Sequence, residues 1–262
     1  MPHLRSLRIC FLSALSALSG AWLLAACHAE PDDPGTPKPG ARKPAAQVTT
    51  QPQQPPEPCG ANEDPLLTAP FTDDFERTGV EPGPDWHTTS YGAYYLNKNR
   101  LCTSKPRNHP LWLKRKLPIN VRVEFNAVPT VNADIKAELF GDGCAFDTLG
   151  KDYTSTGYVG VLGAHNNTEN WLTRLYEHGD DAKKNVLKDP GEGVADSKWK
   201  ANTTYKVELA RTDGKEVRLS VNGVLLHALT DPSPLMGAGH DHFAFNGWEA
   251  PVCFDKLVIT PL

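Results

Sequence analysis

Residues 205–224 read Tyr-Lys-Val-Glu-Leu-Ala-Arg-Thr-Asp-Gly-Lys-Glu-Val-Arg-Leu-Ser-Val-Asn-Gly-Val, and this stretch decides the fold. Apolar and polar residues alternate over residues 205–209 and again over 217–221, which is the two-residue period of a strand with one buried face. The pair Asn222-Gly223 follows, a strong signal for a tight hairpin because both central residues need a positive φ. The stretch therefore predicts adjacent antiparallel strands.

The same alternation recurs throughout residues 67–262, where no stretch sustains the 3.6-residue period of an amphipathic helix. Further strand candidates span residues 111–117, 121–125, 135–140, 158–162, 172–176, 224–229, 242–245 and 254–259. Many short strands with frequent turn residues between them are typical of two sheets packed face to face. We therefore predict that residues 67–262 form an all-β domain, a two-sheet antiparallel jelly-roll sandwich.

The order of parts in this domain carries a family resemblance. Residues 71–76, Phe-Thr-Asp-Asp-Phe-Glu, open the domain together with Asp85-Trp86, and residues 254–259 close it. With the hairpin above, this order resembles the concanavalin A-like lectin/glucanase jelly roll, including LamG-type modules and the domains called 3-keto-disaccharide hydrolases. The resemblance covers nearly all of residues 71–262. It implies the fold more than an activity, because this fold hosts enzymes, lectins and adhesion modules alike.

The first 26 residues have the pattern of a secretory signal peptide. A short basic start is followed by residues 9–24, an uncharged and mostly apolar run shorter than the ~20 residues of a spanning helix. The ending Leu-Ala-Ala-Cys at residues 24–27 resembles the lipobox of bacterial lipoproteins. That resemblance implies cleavage before Cys27, diacylglycerol on its sulfur and acylation of the new N-terminus. The alternative is an ordinary signal peptide cut near Ala29, which would remove Cys27.

These features predict an exported protein that is lipid-anchored in the bacterial cell envelope. Two or three acyl chains hold a protein stably at a membrane where one chain does not. The residue after Cys27 is His28 rather than Asp, which favours the outer membrane. Residues 27–66 then form a linker that we expect to be disordered, with nine prolines between residues 28 and 58.

Charge excludes one class of partner. The chain has 27 Lys and Arg against 31 Asp and Glu, a net charge of −4. Cleavage after residue 26 would remove Arg5 and Arg8 and no acidic residue, leaving 25 basic against 31 acidic residues. Such a mildly acidic protein has no general field that attracts nucleic acid.

Four cysteines would remain beside Cys27 in the exported protein: Cys59, Cys102, Cys144 and Cys253. Disulfides persist in exported proteins, and four cysteines allow three pairings. Early and final strands adjoin in a jelly roll of the kind that the sequence resembles. We therefore favour Cys102–Cys253, with Cys59–Cys144 as the remaining pair.

Carboxylates in this chain give weak support for catalysis. Glucanases of the family place Glu-x-Asp-x-Glu on one strand, with the two glutamates as nucleophile and acid/base, and that motif is absent from this sequence. Glu138 lies on an alternating strand, and Glu177-His178 ends another, so these three are candidate acid/base residues. A water-facing Glu138 and a polar turn at 177–181 are the alternative readings. Enzymatic activity stays undecided, with the balance against it.

Aromatic residues beside amides favour carbohydrate binding instead. An aromatic ring packs against the apolar face of a sugar, while amides and carboxylates bind its hydroxyls. Trp171 ends the polar run 166–171, and Trp248 lies in Asn246-Gly247-Trp248-Glu249. We therefore select six candidate ligand-binding residues, namely Trp171, Trp248, Asn170, Asn246, Glu177 and His178.

Two weaker patterns concern metals. Asp255, in the closing strand, resembles the position that holds a structural calcium in related glucanases, and oxygen ligands suit that ion. His240 and His242 would share one face of an extended segment and could contribute to a metal site. A hydrogen-bonded Asp255 and a buried histidine in a turn are the alternatives.

Three functions follow from these observations. The first is a lipid-anchored cell-envelope protein whose non-catalytic sandwich binds a glycan or another polymer. The second is a carbohydrate-active hydrolase of the 3-keto-disaccharide type. The third is an adhesion or structural module with an envelope protein as partner.

Overall fold

A computed structural model describes residues 61–131, 134–144, 156–174, 187–188 and 199–262. These ranges fall within one unit of the chain, Thr50–Leu262. The predicted signal peptide, the predicted lipidation site Cys27, Cys59 and the pair Glu177-His178 lie outside the described residues. The structural account therefore concerns the predicted sandwich domain.

Strands dominate the described residues. Their bounds are β1 Phe71–Asp73, β2 Trp86–His87, β3 Tyr94–Leu96, β4 Leu101–Thr103, β5 Leu111–Leu113, β6 Val121–Pro129, β7 Ile135–Gly141, β8 Tyr158–Gly163, β9 Glu169–Arg174, β10 Leu187–Lys188, β11 Tyr205–Arg211, β12 Glu216–Val221, β13 Val224–Thr230, β14 His242–Asn246 and β15 Val252–Pro261. A 3-10 turn at Ala61–Glu63 and a short turn α1 at Ala164–Asn167 complete the elements. None of the helices in the described ranges is long and apolar enough to cross a membrane.

The strands form two antiparallel sheets. The eight-stranded sheet has the order β13-β12-β11-β6-β15-β4-β3, with β1 also paired to β15. The seven-stranded sheet has the order β10-β9-β8-β7-β14-β5-β2. The predicted all-β, two-sheet antiparallel sandwich is confirmed.

The hairpin at Asn222-Gly223 joins β12 to β13 as the sequence predicts. Asn222 has φ 51° and Gly223 has φ 80°, the left-handed values that this turn requires. Val221 pairs with Val224 across the turn. The preceding strand β11 pairs with both β12 and β6, so the alternating stretch at 205–224 builds one side of the eight-stranded sheet.

Aromatic side chains from both sheets meet in the core. Phe125 on β6 and Phe254 on β15 come from the eight-stranded sheet, and Phe243 and Phe245 on β14 come from the other. The ring centroids of Phe125 and Phe245 lie 5.2 Å apart, and those of Phe245 and Phe254 lie 4.2 Å apart. Burial of such side chains is the main force that holds the two sheets together.

A disulfide joins Cys102 on β4 to Cys253 on β15, the pairing that the sequence analysis favours. The two residues are direct partners in the β4–β15 ladder, with Cα atoms 4.0 Å apart. Cys144 is disulfide-bonded as well. Its predicted partner, Cys59, lies outside the described residues.

A buried polar network links the two sheets at one end. Asp231, which follows β13, is fully buried and accepts hydrogen bonds at 2.7 Å from Tyr158 Oη on β8 and from Arg174 Nη1 on β9. Burial, followed by the hydrogen bond to Asp231, raises the pKa of Tyr158 above its usual value. The Tyr158 oxygen also accepts a bond from the Leu235 amide at 3.0 Å. The network satisfies polar groups that would otherwise destabilise the interior.

Candidate functional site

A cavity of about 600 Å³ lies at the seven-stranded sheet, within the size range of small-molecule sites. Strands β7, β8 and β9 contribute to it, as do α1 and the segment after β14. Its lining residues are Asn108, Asp134, Lys136, Val161, Gly163, Ala164, His165, Asn166, Trp171, Trp248, Glu249 and Ala250. Both tryptophans selected from the sequence are among them, Trp171 on β9 and Trp248 after β14.

The floor of the cavity is a row of residues across adjacent strands. Trp171 on β9 pairs with Val161 on β8, Val161 pairs with Lys136 on β7, and Lys136 pairs with Asn246 on β14. Their neighbours in sequence, such as Leu172 and Phe245, belong to the core between the sheets. The row therefore stands on the outer face of the seven-stranded sheet and spans three strand spacings, roughly 14 Å.

Lys136 gives the floor a buried cation. Its Nζ lies 2.9 Å from Asn108 Oδ1 and 3.4 Å from Asp134 Oδ2, and its side chain is 8% exposed. Burial lowers the pKa of Lys136, while the negative charges of Asp134 and Glu138 oppose that shift. The cavity thus holds a donor and several acceptors in fixed positions.

Glu138 and Asn246 lie beside the floor, on the same face of the seven-stranded sheet as Lys136, and support it. Glu138 is fully buried, and its Oε1 accepts a hydrogen bond from Asn246 Nδ2. Asn246 Oδ1 in turn accepts a bond from the Gly247 amide at 2.6 Å. Neither residue is among those that line the cavity. Their position indicates that they fix the floor and the start of the segment that carries Trp248.

Trp171 is held in place by two polar neighbours. Its Nε1 donates a hydrogen bond of 2.8 Å to Glu169 Oε2, and the same oxygen lies 3.2 Å from His165 Nδ1. The His165 ring meets Trp171 edge-on, with centroids 4.9 Å apart and an interplanar angle of 80°. The indole is therefore positioned at the cavity before any ligand arrives.

A left-handed turn forms the wall beside Trp171. Gly163, His165, Asn166 and Asn167 have φ values of 83°, 48°, 62° and 65°. Asn167 holds this turn through two hydrogen bonds with the backbone of Trp199, at 3.0 and 2.9 Å.

Asn170 fixes the same wall from below. Its Oδ1 accepts hydrogen bonds from the Gly163 amide at 3.1 Å and from Trp199 Nε1 at 2.8 Å. Of the candidates selected from the sequence, Asn170 thus supports the turn and is not a lining residue.

The wall that carries Trp248 has a similar construction. The amides of Arg107 and Asn108 donate to the carbonyls of Trp248 and Gly247 at 2.9 and 2.8 Å. Arg107 Nη2 also lies 3.1 Å from Glu249 Oε1. Arg107 and Asn108 have φ values of 51° and 64°, again in the left-handed region.

Both walls are therefore built from non-glycine residues in a strained backbone conformation. Such conformations cost free energy and cluster at binding and catalytic sites, where the surrounding contacts maintain them. The hydrogen bonds from Asn167, Asn170 and the 106–108 segment supply those contacts here.

The candidate metal residues lie apart from the cavity. Asp255 Oδ1 accepts a bond from the Lys256 amide at 2.8 Å. His240 Nδ1 lies 2.8 Å from the Thr156 carbonyl oxygen, and buried His242 has Nε2 at 3.3 Å from Asp64 Oδ2. Within the ranges that the structure describes, no three His, Cys, Asp or Glu residues gather as a metal site.

Sequence reasoning missed Lys136, Asn108 and Asp134 at the floor. One available signal was the two-residue period of β7, which places Lys136 on the same face as Glu138. Lysine on a strand usually faces water, and the burial of Lys136 depends on neighbouring segments that periodicity does not describe.

Structural neighbours of the domain are proteins that bind or act on carbohydrate. A sialidase structure aligns over 75% of this chain with a TM-score of 0.50 and 12% identity, and the chain spans only 19% of its length. A structure titled for endo-acting O-glycanases of the human gut microbiota aligns over 73% of this chain and 98% of its own, with a TM-score of 0.51 and 13% identity. A carbohydrate-binding module from Bacillus subtilis aligns over 67% and 95%, with a TM-score of 0.46 and 12% identity. No protein family and no curated protein matches the chain in sequence.

Proposed function

We propose that the sandwich is a non-catalytic glycan-binding domain whose site is the cavity between Trp171 and Trp248. The observation that carries this proposal is the convergence of two tryptophans from separate segments on one cavity with a polar floor. An indole offers an apolar surface to a sugar ring, and its fixed orientation reduces the entropy lost on binding. Lys136, Asn108 and Asp134 supply donors and acceptors for hydroxyl groups between the two rings.

Among the acid/base candidates selected from the sequence, Glu138 is poorly placed for hydrolysis at this cavity. Glu138, a carboxylate selected as an acid/base candidate, is fully buried beside the floor and does not line the cavity. A general acid must come within hydrogen-bond reach of the bond that it protonates.

Replacing Trp171 or Trp248 by alanine is expected to weaken glycan binding about tenfold, because truncation of an aromatic anchor costs ~1 kcal/mol or more. The measurement is the dissociation constant for a polysaccharide selected from a glycan array with the full-length protein in detergent. Tyr91→Ala is the matched control, since Tyr91 is 86% exposed and does not line the cavity. If the wild type and the Trp171, Trp248 and Tyr91 variants bind with equal affinity, the cavity is not the glycan-binding site.

We also propose that the domain is held at the outer membrane of a bacterial cell envelope by lipid on Cys27. Support comes from the sequence: a signal-peptide pattern, the residues Leu24-Ala25-Ala26-Cys27 and the proline-rich segment that follows. A tether of this composition would let the domain sample polymer at a distance from the bilayer.

Cys27→Ser is expected to abolish incorporation of an alkyne-labelled fatty acid and to release the protein from the membrane fraction. The thiol is the acceptor of the first lipid, so serine cannot replace it. Cys10→Ser provides the control, because this cysteine lies inside the segment that would be cleaved. Labelling that survives in the Cys27 variant would disprove the anchor.

A further inference from the structure

We infer that the cavity selects uncharged glycans and discriminates against acidic ones. This inference rests on the proposed function and names the ligand class of the same site. The observation behind it is the pairing of basic side chains with carboxylates: each basic side chain that the described residues bring to the cavity lies beside a carboxylate.

Three such pairs surround the cavity. Lys136 Nζ lies 3.4 Å from Asp134 Oδ2 on the floor. Arg107 Nη2 lies 3.1 Å from Glu249 Oε1 at the wall of Trp248.

The third pair lies at the wall of Trp171, where His165 Nδ1 is 3.2 Å from Glu169 Oε2. An acidic sugar would have to compete with an internal carboxylate for each of these three side chains.

The balance of charge points the same way. Asp134 and Glu249 line the cavity, Glu169 is paired to the lining residue His165, and Glu138 is buried beside the floor, whereas the lysine and arginine side chains there are Lys136 and Arg107 among the described residues. Charges interact more strongly near a partly buried floor than in bulk water. A uronate, sialate or sulfate group would therefore meet net repulsion.

Sugar hydroxyls fit this arrangement. A hydroxyl both donates and accepts, so it can donate to the carboxylates of Asp134 or Glu249 and accept from Lys136. Hydrogen bonds to charged groups are shorter and stronger than neutral ones. A neutral ligand gains these bonds without breaking the existing ion pairs.

The first test compares matched neutral and acidic ligands on the full-length protein in detergent. The pairs are methyl-esterified polygalacturonate with polygalacturonate, β-(1→4)-mannan with polymannuronate, and lacto-N-neotetraose with its sialylated form. We expect the neutral member of any pair that binds to bind at least tenfold more tightly. Equal or tighter binding of the acidic member would overturn the inference and leave the proposed function intact, whereas no binding of any ligand would overturn both.

The second test asks whether removing a carboxylate from the cavity raises its affinity for acidic glycans. Asp134→Asn and Glu249→Gln each remove one of the competing carboxylates, and we expect each to raise affinity for the acidic member about tenfold at low ionic strength. High salt should abolish that gain, because it screens exposed charges. If Asp134→Asn does not fold, Glu249→Gln still tests the inference. We expect Glu249→Gln to fold, because the side chains of Arg107 and Glu249 are 61% and 45% exposed.

Glu216→Gln is the matched control for this test. It neutralises a carboxylate paired to Arg218 on β12 of the eight-stranded sheet, at 2.6 Å, and Glu216 does not line the cavity. Its affinity for acidic ligands should equal that of the wild type. If neither folded cavity variant gains affinity beyond this control, the inference is wrong.

Discussion

Asp231→Ala is expected to lower the free energy of unfolding by about 3–5 kcal/mol, the range for breaking a buried ion pair from one side. The wild-type carboxylate is fully buried and lies 2.7 Å from Arg174 Nη1. It also accepts the Tyr158 hydroxyl at 2.7 Å and the Ser233 amide at 2.8 Å. Alanine would remove the compensating charge and these acceptors together.

The measurement is urea-induced unfolding of the full-length protein under non-reducing conditions, followed by tryptophan fluorescence. Glu208→Ala is the control, because Glu208 belongs to an exposed ion pair with Arg122 at 3.6 Å on the eight-stranded sheet. Such surface pairs contribute ~0.2–1 kcal/mol. A loss for Asp231→Ala no larger than that of the control would mean that the network does not stabilise the fold.

Gly157→Ala is expected to destabilise the domain by about 2–3 kcal/mol, a large value for adding one methyl group. A Cβ at this position would lie 2.6 Å from the Gly141 nitrogen and 2.6 Å from the Leu139 carbonyl oxygen. These are backbone atoms in or beside the β7–β8 pairing, so the strands themselves would have to move apart. Close approach of two backbones is a position where only glycine fits.

Gly160→Ala, three residues further along the chain in β8, is the matched control. Its Cβ would meet the side chains of Leu209 and Leu219, at 3.2 and 3.5 Å, which can shift by rotation. We expect a change within about 1 kcal/mol. Thermal unfolding of the two variants would separate the effects, and equal melting temperatures would show that β7 and β8 tolerate the added methyl group.

The sequence was most informative where strands were long and one face was buried. Strands β6, β11, β12 and β13 show clear alternation, and the turn at Asn222-Gly223 has the predicted conformation. The short strands β1 to β4 have two or three residues each, too few to display a period. Their position is determined by pairing with distant strands, such as β1 with β15, which local patterns do not report.

The candidate site was predictable only in part, because turn geometry and contacts between distant segments decide which side chains face the cavity. Trp171 and Trp248 stood out because polar residues surround them in sequence, and they do line one cavity. Asn170 and Asn246 were selected by the same signal, but their side chains hydrogen-bond to other protein groups and do not line the cavity. Whether an amide side chain faces a ligand or the protein backbone depends on the geometry of the turn, which the sequence does not specify. The left-handed run at 165–167 contains His165, a residue for which sequence gives little reason to expect a positive φ.

The position of β15 has a consequence for how the protein is made. This strand lies between β6 and β4 inside the eight-stranded sheet, yet the ribosome adds it after every other strand in the described part of the chain. Before it emerges, β6 and β4 have no common neighbour, and the sheet remains divided with open edges that favour aggregation. Productive folding of the eight-stranded sheet must therefore wait until synthesis has passed β15.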